Sequence, residues 1–413
     1  MSAMTRQAPR RFDLRGWSAE DLANPYPIYR HYRETDPVHL GPANASGTNT
    51  WFAFRYDDVT SVLSNRCFGR GDTQFSSVVP TECAALRRIV SNWLVFLDPP
   101  RHTRLRSLLT REFSPQVVTT LRPRVAAIAR ELVTAMASSP TVDLVADFAA
   151  PLPILVICEL LGVPRQDRIW LRKQAMSLQQ ASSGRSGNYA EAETAACELS
   201  DYFRREVQRR RREPREDLIA LLVRAKDRGG SLTDDELIAT CVHLLTAGHE
   251  TTTNLISKSV LALLRTPEVL GELRANPELM PVAVDELIRY DPPVQMVTRW
   301  AQRDQVLRGR SIHRGEKLVL VLGSANRDPL LCPDPDVVRL DRRPNRHCGF
   351  GIGIHHCLGS ALARAETEIG LNELFRQLPG LHLTDEPVQF APDVVFHGPE
   401  RLTLTTCAGG SDA

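Results

Sequence analysis

Cys357 lies near the end of the run Phe350-Gly351-Ile352-Gly353-Ile354-His355-His356-Cys357-Leu358-Gly359, and the helical pattern Ser360-Ala361-Leu362-Ala363-Arg364 follows at once. A cysteine on a glycine-bearing loop at the mouth of a helix receives backbone N–H groups and the positive end of the helix dipole, both of which favour thiolate. Thiolate is the form that binds a metal. Gly351 and Gly353 have access to backbone angles closed to other residues, and Gly359 carries no side chain to keep the helix from a flat partner. Three chemistries compete for this loop. One is a free buried thiol, the usual fate of a cysteine. Another is zinc held by Cys348, His355, His356 and Cys357, although their spacing fits no common zinc pattern. The third is porphyrin iron held by one axial thiolate, which favours O–O cleavage in an oxygen bound opposite.

The run Leu244-Leu245-Thr246-Ala247-Gly248-His249-Glu250-Thr251-Thr252-Thr253 offers what the opposite side of such an iron requires. Ala247 and Gly248 are small enough to leave space for dioxygen, and Glu250 and Thr251 supply an acid and an alcohol for proton delivery. A hydroxyl that displaces a helical hydrogen bond opens a groove able to hold water. Taken alone, a packed helix with threonines on a polar face reads equally well. Glu286 and Arg289 form an i,i+3 pair, by default a solvated one, on a helix ended by Asp291-Pro292-Pro293. His102, Arg106 and Arg299 are the kind of group that pairs with carboxylates. Singly, each reads as surface charge.

In their order along the chain these runs resemble the haem-thiolate cytochrome P-450 family, whose ligand loop F-x-x-G-x-H-x-C-x-G is matched at Phe350, Gly353, His355, Cys357 and Gly359. The resemblance implies a mainly α, helix-rich fold with small β-sheets, and haem b between a long distal helix and a proximal cysteine loop. It makes Cys357 the iron ligand, with Phe350, Gly351 and Gly359 around the cofactor and His102, Arg106, Arg299 and His355 on its propionates. Ala247 and Gly248 inherit the oxygen groove, and Glu250 and Thr251 the proton relay. Glu286 and Arg289 match the family's E-x-x-R helix, expected to lock onto Arg342. The family often has Phe-Asp where this chain has Val338-Arg339.

Within the family, Arg11–Trp17, Asn92–Pro100, Cys241–His249 and Val395–Pro399 are similar to the members that join the two indole rings of chromopyrrolic acid in indolocarbazole biosynthesis. Coupling asks for a proton acceptor on the distal side, a role expected of His249, whose ordinary pKa suits transfer near neutral pH. Asn92, Val294, Gln295 and Met296 are expected to line the substrate pocket, and Cys67–Thr81 and Ala181–Asn188 to form a lid. Electrons are expected from a ferredoxin and its ferredoxin reductase, steered by Arg101, Arg104, Arg111, Arg346 and Arg364. A hydroxylase or epoxidase of another natural product is the rival within the family. A haem sensor or carrier without turnover, and a zinc protein, are the rivals outside it.

The elements that must place these residues are mostly helices. Apolar residues recur at three- and four-residue spacing in Leu121–Met136, Gln166–Gln180, Glu191–Arg211, Thr233–Leu264, Pro281–Tyr290 and Ser360–Leu378. Trp51–Phe54, Leu318–Leu322 and Leu402–Thr406 read as short strands. Leu331–Gly353 is long, rich in Pro and Arg, and without periodicity. The 413 residues carry 51 Lys+Arg against 49 Asp+Glu and are 42% hydrophobic, which describes an ordinary globular chain with a large core. One domain is expected over 1–413, with 1–10 disordered. A formal net charge of +2 gives no support for a nucleic-acid partner. The cysteines number nine, odd and irregularly spaced, and the basic N-terminus has no apolar run behind it. A cytoplasmic monomer away from membranes is the expectation.

Overall fold

Helical periodicity in the sequence becomes helix at Pro115–Met136, Arg168–Ser182, Tyr189–Arg212, Met280–Tyr290 and Ser360–Gln377. The computed structural model describes residues 12–13, 16–43, 47–71, 79–182, 188–227 and 232–406. The first of these helices begins earlier than the periodicity predicts. Ser114 caps it by accepting from the Val117 N–H, and Pro115 occupies the first turn, where its missing N–H costs nothing. The run expected as one helix over Thr233–Leu264 is instead two, Asp234–Ala247 and His249–Leu264, parted at Gly248. Thr233 opens the first with a reciprocal cap, its hydroxyl accepting from the Glu236 N–H while the Glu236 carboxylate accepts from the Thr233 N–H.

Helix His249–Leu264 is buried along most of its length, polar residues Ser257, Lys258 and Ser259 included. Helix Ser360–Gln377, which continues the cysteine loop, crosses Pro115–Met136 and is drawn close to the helix Pro151–Leu161 by Gly370. A Cβ at Gly370 would stand 3.1 Å from the Leu152 side chain, tighter than ordinary contact. Buried residues of these helices form one large apolar cluster.

A five-stranded sheet forms the other part of the fold, in the order Val38–Leu40, Thr50–Ala53, Lys317–Val321, Met296–Ala301, Phe68–Gly69. Thr50–Ala53 and Lys317–Val321 run parallel and the remaining neighbours antiparallel. The expected strands at 51–54 and 318–322 lie at its centre. The third, Thr403–Thr405, pairs with Thr141–Asp143 and His382–Leu383 in a small sheet. One side of the large sheet packs on Phe12, Tyr26, Tyr29, Tyr32 and Phe54, an aromatic cluster in which most rings meet edge to face. The segment 331–352 has neither helix nor strand, as its composition predicts. Among the described residues no helix is long and apolar enough to cross a membrane.

Candidate active site

The cysteine loop is built on left-handed backbone at Gly351 (φ 70°) and Gly353 (φ 75°). At Gly353 a side chain is excluded twice, because a Cβ would also lie 2.6 Å from the Leu63 carbonyl. Gly351 N–H bonds to the Cys348 carbonyl and Cys357 N–H to the Phe350 carbonyl, both at 2.8 Å. Cys348 is fully buried with its thiol 3.1 Å from Asn326 Oδ1, and burial pushes it up to about 12. It is packing. Among the described residues no group of three His, Cys, Asp or Glu could hold a metal ion, which weighs against the zinc reading. Cys357 is accessible yet enclosed by enough protein that burial raises its thiol. The Gly359 N–H, Arg106 and Arg364 pull the other way without overcoming it.

His102, Arg106, Arg299 and His355, distant in sequence, converge beside the loop. The rings of His102 and His355 lie 4.3 Å apart, and Arg106 Nη2 donates to the His356 carbonyl at 2.6 Å. Arg299 is buried, and burial lowers its pKa to about 10. A further cation joins them that the sequence reading did not single out. Arg70 is buried, donates from Nε to the Val95 carbonyl (2.8 Å) and from Nη1 to the Thr298 carbonyl (2.7 Å), and is brought down to about 9 by burial and by Arg299. Burial, with Arg299 next, depresses His355 to about 2. Both ring nitrogens of His102 and Nε2 of His355 are buried without a hydrogen-bond partner. Asp98 is the acid that acts on this cluster, and its carboxylate already accepts from the Arg70 and Gly71 N–H groups. Unpaired buried donors among guanidinium groups make a receptor for an anionic group with more than one charge.

Ala247 and Thr251 share a face of the distal helices, four residues apart. Thr251 Oγ1 donates to the Ala247 carbonyl at 3.1 Å across the break at Gly248, the bond expected of a groove-forming hydroxyl. At the same break Gln179 Nε2 donates to the Thr246 carbonyl at 2.6 Å, a brace from the neighbouring helix that no motif announced. Glu250 is half-buried beside Thr251. His249 does not share their face. Two residues on from Ala247 it points to the other side of the helix, buried beside the Ala150 backbone and Arg172. Burial, then the Arg172 charge, lowers its pKa to about 4. His249 is thus packed off the Ala247–Thr251 face, and burial makes it a weaker proton acceptor than its ordinary pKa predicts.

Glu286 is fully buried and takes Arg289 Nε (2.7 Å) and Nη2 (2.8 Å), Arg342 Nε (3.0 Å) and the Arg339 N–H (2.9 Å). Arg289 continues to the carbonyls of Asn326, Pro335 and Val337. The expected lock thus forms with Arg342. Val338-Arg339 fits it because Val338 is buried, while the Arg339 side chain turns outward to Asp334 and Asp341.

Three of the four expected pocket residues are elsewhere. Gln295 is buried behind the sheet, donating to Tyr26 Oη (3.3 Å), Asp291 (3.2 Å) and the Pro292 carbonyl (2.7 Å). Met296 is core beside Tyr26 and Val319. Asn92 joins two helices, accepting from Arg101 and donating to the Arg88 carbonyl. Met296 lies on the face of Met296–Ala301 that meets the aromatic cluster, whereas Gln295, just before the strand, is held there by its bonds to Tyr26, Asp291 and Pro292. Val294 is half-buried and bridges to Phe396 on the C-terminal segment, held in turn by Asn254 Nδ2 at 3.4 Å. Of the two lid stretches, 72–78 and 183–187 lie outside the described residues, as do 1–10. Of the expected docking charges, Arg101 and Arg104 are paired to Glu236 and Arg364 to Asp285, whereas Arg111 and Arg346 are exposed.

A cytochrome P450 family model matches residues 186–396. The biotin biosynthesis cytochrome P450 of Bacillus subtilis (strain 168) is 36% identical over 395 residues, which cover 94% of this chain and 98% of that protein. The chain belongs to the cytochrome P450 family. The mycinamicin IV hydroxylase/epoxidase of Micromonospora griseorubida is 38% identical over 408 residues, covering 97% of this chain and all of that protein (100%). Among solved structures, the cytochrome P450 enzyme CxnD for C–S bond formation in chuangxinmycin biosynthesis superposes with a TM-score of 0.82 at 34% identity, over 92% of this chain and 94% of that one. Cytochromes P450 bind haem b through a cysteine thiolate and are oxygen-activating oxidoreductases of the monooxygenase type. The residues present fit that group. The cationic nest suits its two carboxylates, and a Cβ at Gly359 would meet no protein atom, leaving room for its plane.

Proposed function

We propose that this cytochrome P450 joins the two indole rings of chromopyrrolic acid by intramolecular aryl–aryl C–C coupling, building the indolocarbazole core of a bacterial secondary metabolite. The observation that carries this reading is a set of parallel rings beside the distal helix. Trp93 stacks on His243 at 5.0 Å and 13°, and on Phe96 at 6.1 Å and 10°. Burial holds His243 neutral, at about 4. His243, Ala247 and Thr251 are spaced by four, on one face, and the Arg70 guanidinium lies over Phe96 at 5.6 Å. The stack thus joins the helix that carries Ala247, through His243, to the Arg70 guanidinium, through Phe96. Two of the segments that resemble the coupling enzymes, 92–100 and 241–249, meet in this stack. A flat apolar wall suits a flat bis-indole.

Haem b supplies dioxygen reduction and the oxidising equivalents when bound. Cys357 would hold its iron, and His102, Arg106, Arg299, His355 and Arg70 would hold its carboxylates. Ala247 and Gly248 keep the distal face open, and Thr251 with Glu250 retains protons there. Coupling removes two hydrogens and forms one C–C bond; with two electrons and two protons from outside, one dioxygen leaves as two waters. The external electrons come from a ferredoxin and its reductase, the chain acting as one domain and a monomer in the cytoplasm. Thr251 and its groove have no use in a haem sensor or carrier.

The hydroxylase/epoxidase relative favours a second reading, insertion of oxygen into another natural product; the C–S bond-forming neighbour shows that bond formation is compatible with this fold. Product mass separates them. Purified protein, titrated spectrally with chromopyrrolic acid beside other metabolites and then reconstituted with a ferredoxin system, is expected to give a product two hydrogens lighter with no oxygen added. A product heavier by one oxygen, or no binding of chromopyrrolic acid, rejects the coupling reading.

A further inference from the structure

Arg364, on the helix that follows the cysteine loop, has its guanidinium carbon 4.4 Å from the centroid of the Phe350 ring, within cation–π range. Its Nε donates to Asp285 Oδ1 at 2.8 Å, and Nη1 reaches the Ser360 carbonyl at 3.4 Å. Asp285 also meets His347 Nε2 at 3.3 Å. Against burial, the bonds from His347 and Arg364 hold its carboxyl below the usual range. The His347 and His356 rings stand 6.0 and 6.4 Å from Phe350, whose carbonyl accepts the Cys357 N–H. Phe350 is thus clamped. Asp285 immediately precedes Glu286, so consecutive carboxylates of one helix secure the irregular segment and the cysteine loop.

We propose that Arg364, held by Asp285, is a positioning residue that fixes Phe350 against the cysteine loop and, through its charge, sets the reduction potential of the haem iron. This does not depend on the substrate; it requires the family's haem thiolate alone. A cation near the sulfur favours the state with one electron more, and an anion disfavours it. Asp285 partly offsets Arg364, so removing either changes the balance with opposite sign. The planar guanidinium also stacks, which an ammonium does not reproduce.

The test is the midpoint potential of purified, haem-loaded variants by spectroelectrochemical titration, with the Soret band of the reduced, carbon-monoxide-treated protein reporting the thiolate. Arg364→Gln is expected to shift the potential negative and Asp285→Asn positive, with the thiolate-type band retained. Arg364→Lys is expected closer to the unaltered protein than Arg364→Gln. The double variant Asp285→Asn/Arg364→Gln, which removes both charges, returns toward the starting value and serves where Asp285→Asn alone does not hold haem. Shifts of the same sign in both single variants, or no shift in protein that keeps the thiolate-type band, would overturn the proposal. So would a double variant displaced further than Arg364→Gln.

Discussion

At Cys357 two opposing effects meet. The helix mouth favours thiolate through the Gly359 N–H, and Arg106 and Arg364 add positive charge, but burial outweighs them and the thiol is raised. As the ligand of a haem iron, the role proposed for it, Cys357 would give up that proton outright, because a coordinating thiol is deprotonated. Cys357→Ser is expected to move the Soret band of the reduced, carbon-monoxide-treated protein to shorter wavelength; an unmoved band removes Cys357 as the ligand. Arg70 carries the second prediction at this scale. Arg70→Leu deletes a buried charge of the cation cluster proposed to receive the haem carboxylates, and a hydrogen bond to a charged group is worth roughly 1.5–3 kcal/mol. Haem transfer to an apomyoglobin trap is expected to speed up by about tenfold or more, measured against Arg111→Leu, a change to an exposed arginine.

The distal helix pair works by being interrupted. Thr251→Ala removes the hydroxyl that donates to the Ala247 carbonyl across Gly248 while leaving the haem nest untouched. Haem content is expected to stay constant while product formed per electron pair falls, by as much as about a hundredfold if proton delivery is lost. Helix Met280–Tyr290 works by holding on. Glu286→Ala would leave Arg289 and Arg342 buried without their shared carboxylate, a change of the kind that costs about 3–5 kcal/mol. Loss of haem and a lower unfolding temperature are expected. Wild-type stability in that variant would mean that the segment before the cysteine loop is held by its backbone contacts alone.

Across the whole molecule, burial keeps His243, His249 and His397 neutral, each with its pKa lowered from 6.5 to about 4. The unfolded chain binds protons at these positions first as pH falls. Their contribution is therefore complete above pH 6.5 and is lost progressively as pH falls toward 4, at most roughly 3 kcal/mol for each. Denaturant unfolding between these limits is expected to show stability declining with acid, and His249→Gln to flatten that decline. An unchanged slope in the variant would place the acid sensitivity elsewhere. His397 has a second task, accepting from Lys258 at 2.9 Å while Lys258 pairs with Asp291 at 2.6 Å, so the C-terminal segment is tied to the distal helix and to the end of Met280–Tyr290.

What could be read directly from the chain was local. The cysteine loop, the helix periodicities, the E-x-x-R pair and the order of the motifs depend on spacings of a few residues, which backbone geometry converts directly into one loop or one helix face. The family and the cofactor came with them. The break at Gly248 was missed although Thr246 to Asn254 holds no apolar residue larger than Ala247, an interruption of the periodicity that was itself a signal. Gln295 and Met296 were assigned to the pocket from their family positions after the E-x-x-R helix, and only packing puts Met296 in the aromatic cluster with Tyr26 and Phe52 and bonds Gln295 to Tyr26 and Asp291. Arg70 meeting the Thr298 carbonyl, 228 positions away, and Arg364 meeting Asp285, 79 positions away, have no local signature at all. Contacts of that range are set when whole helices and sheets pack, and burial then decides which histidines stay neutral and which cations wait for an anion.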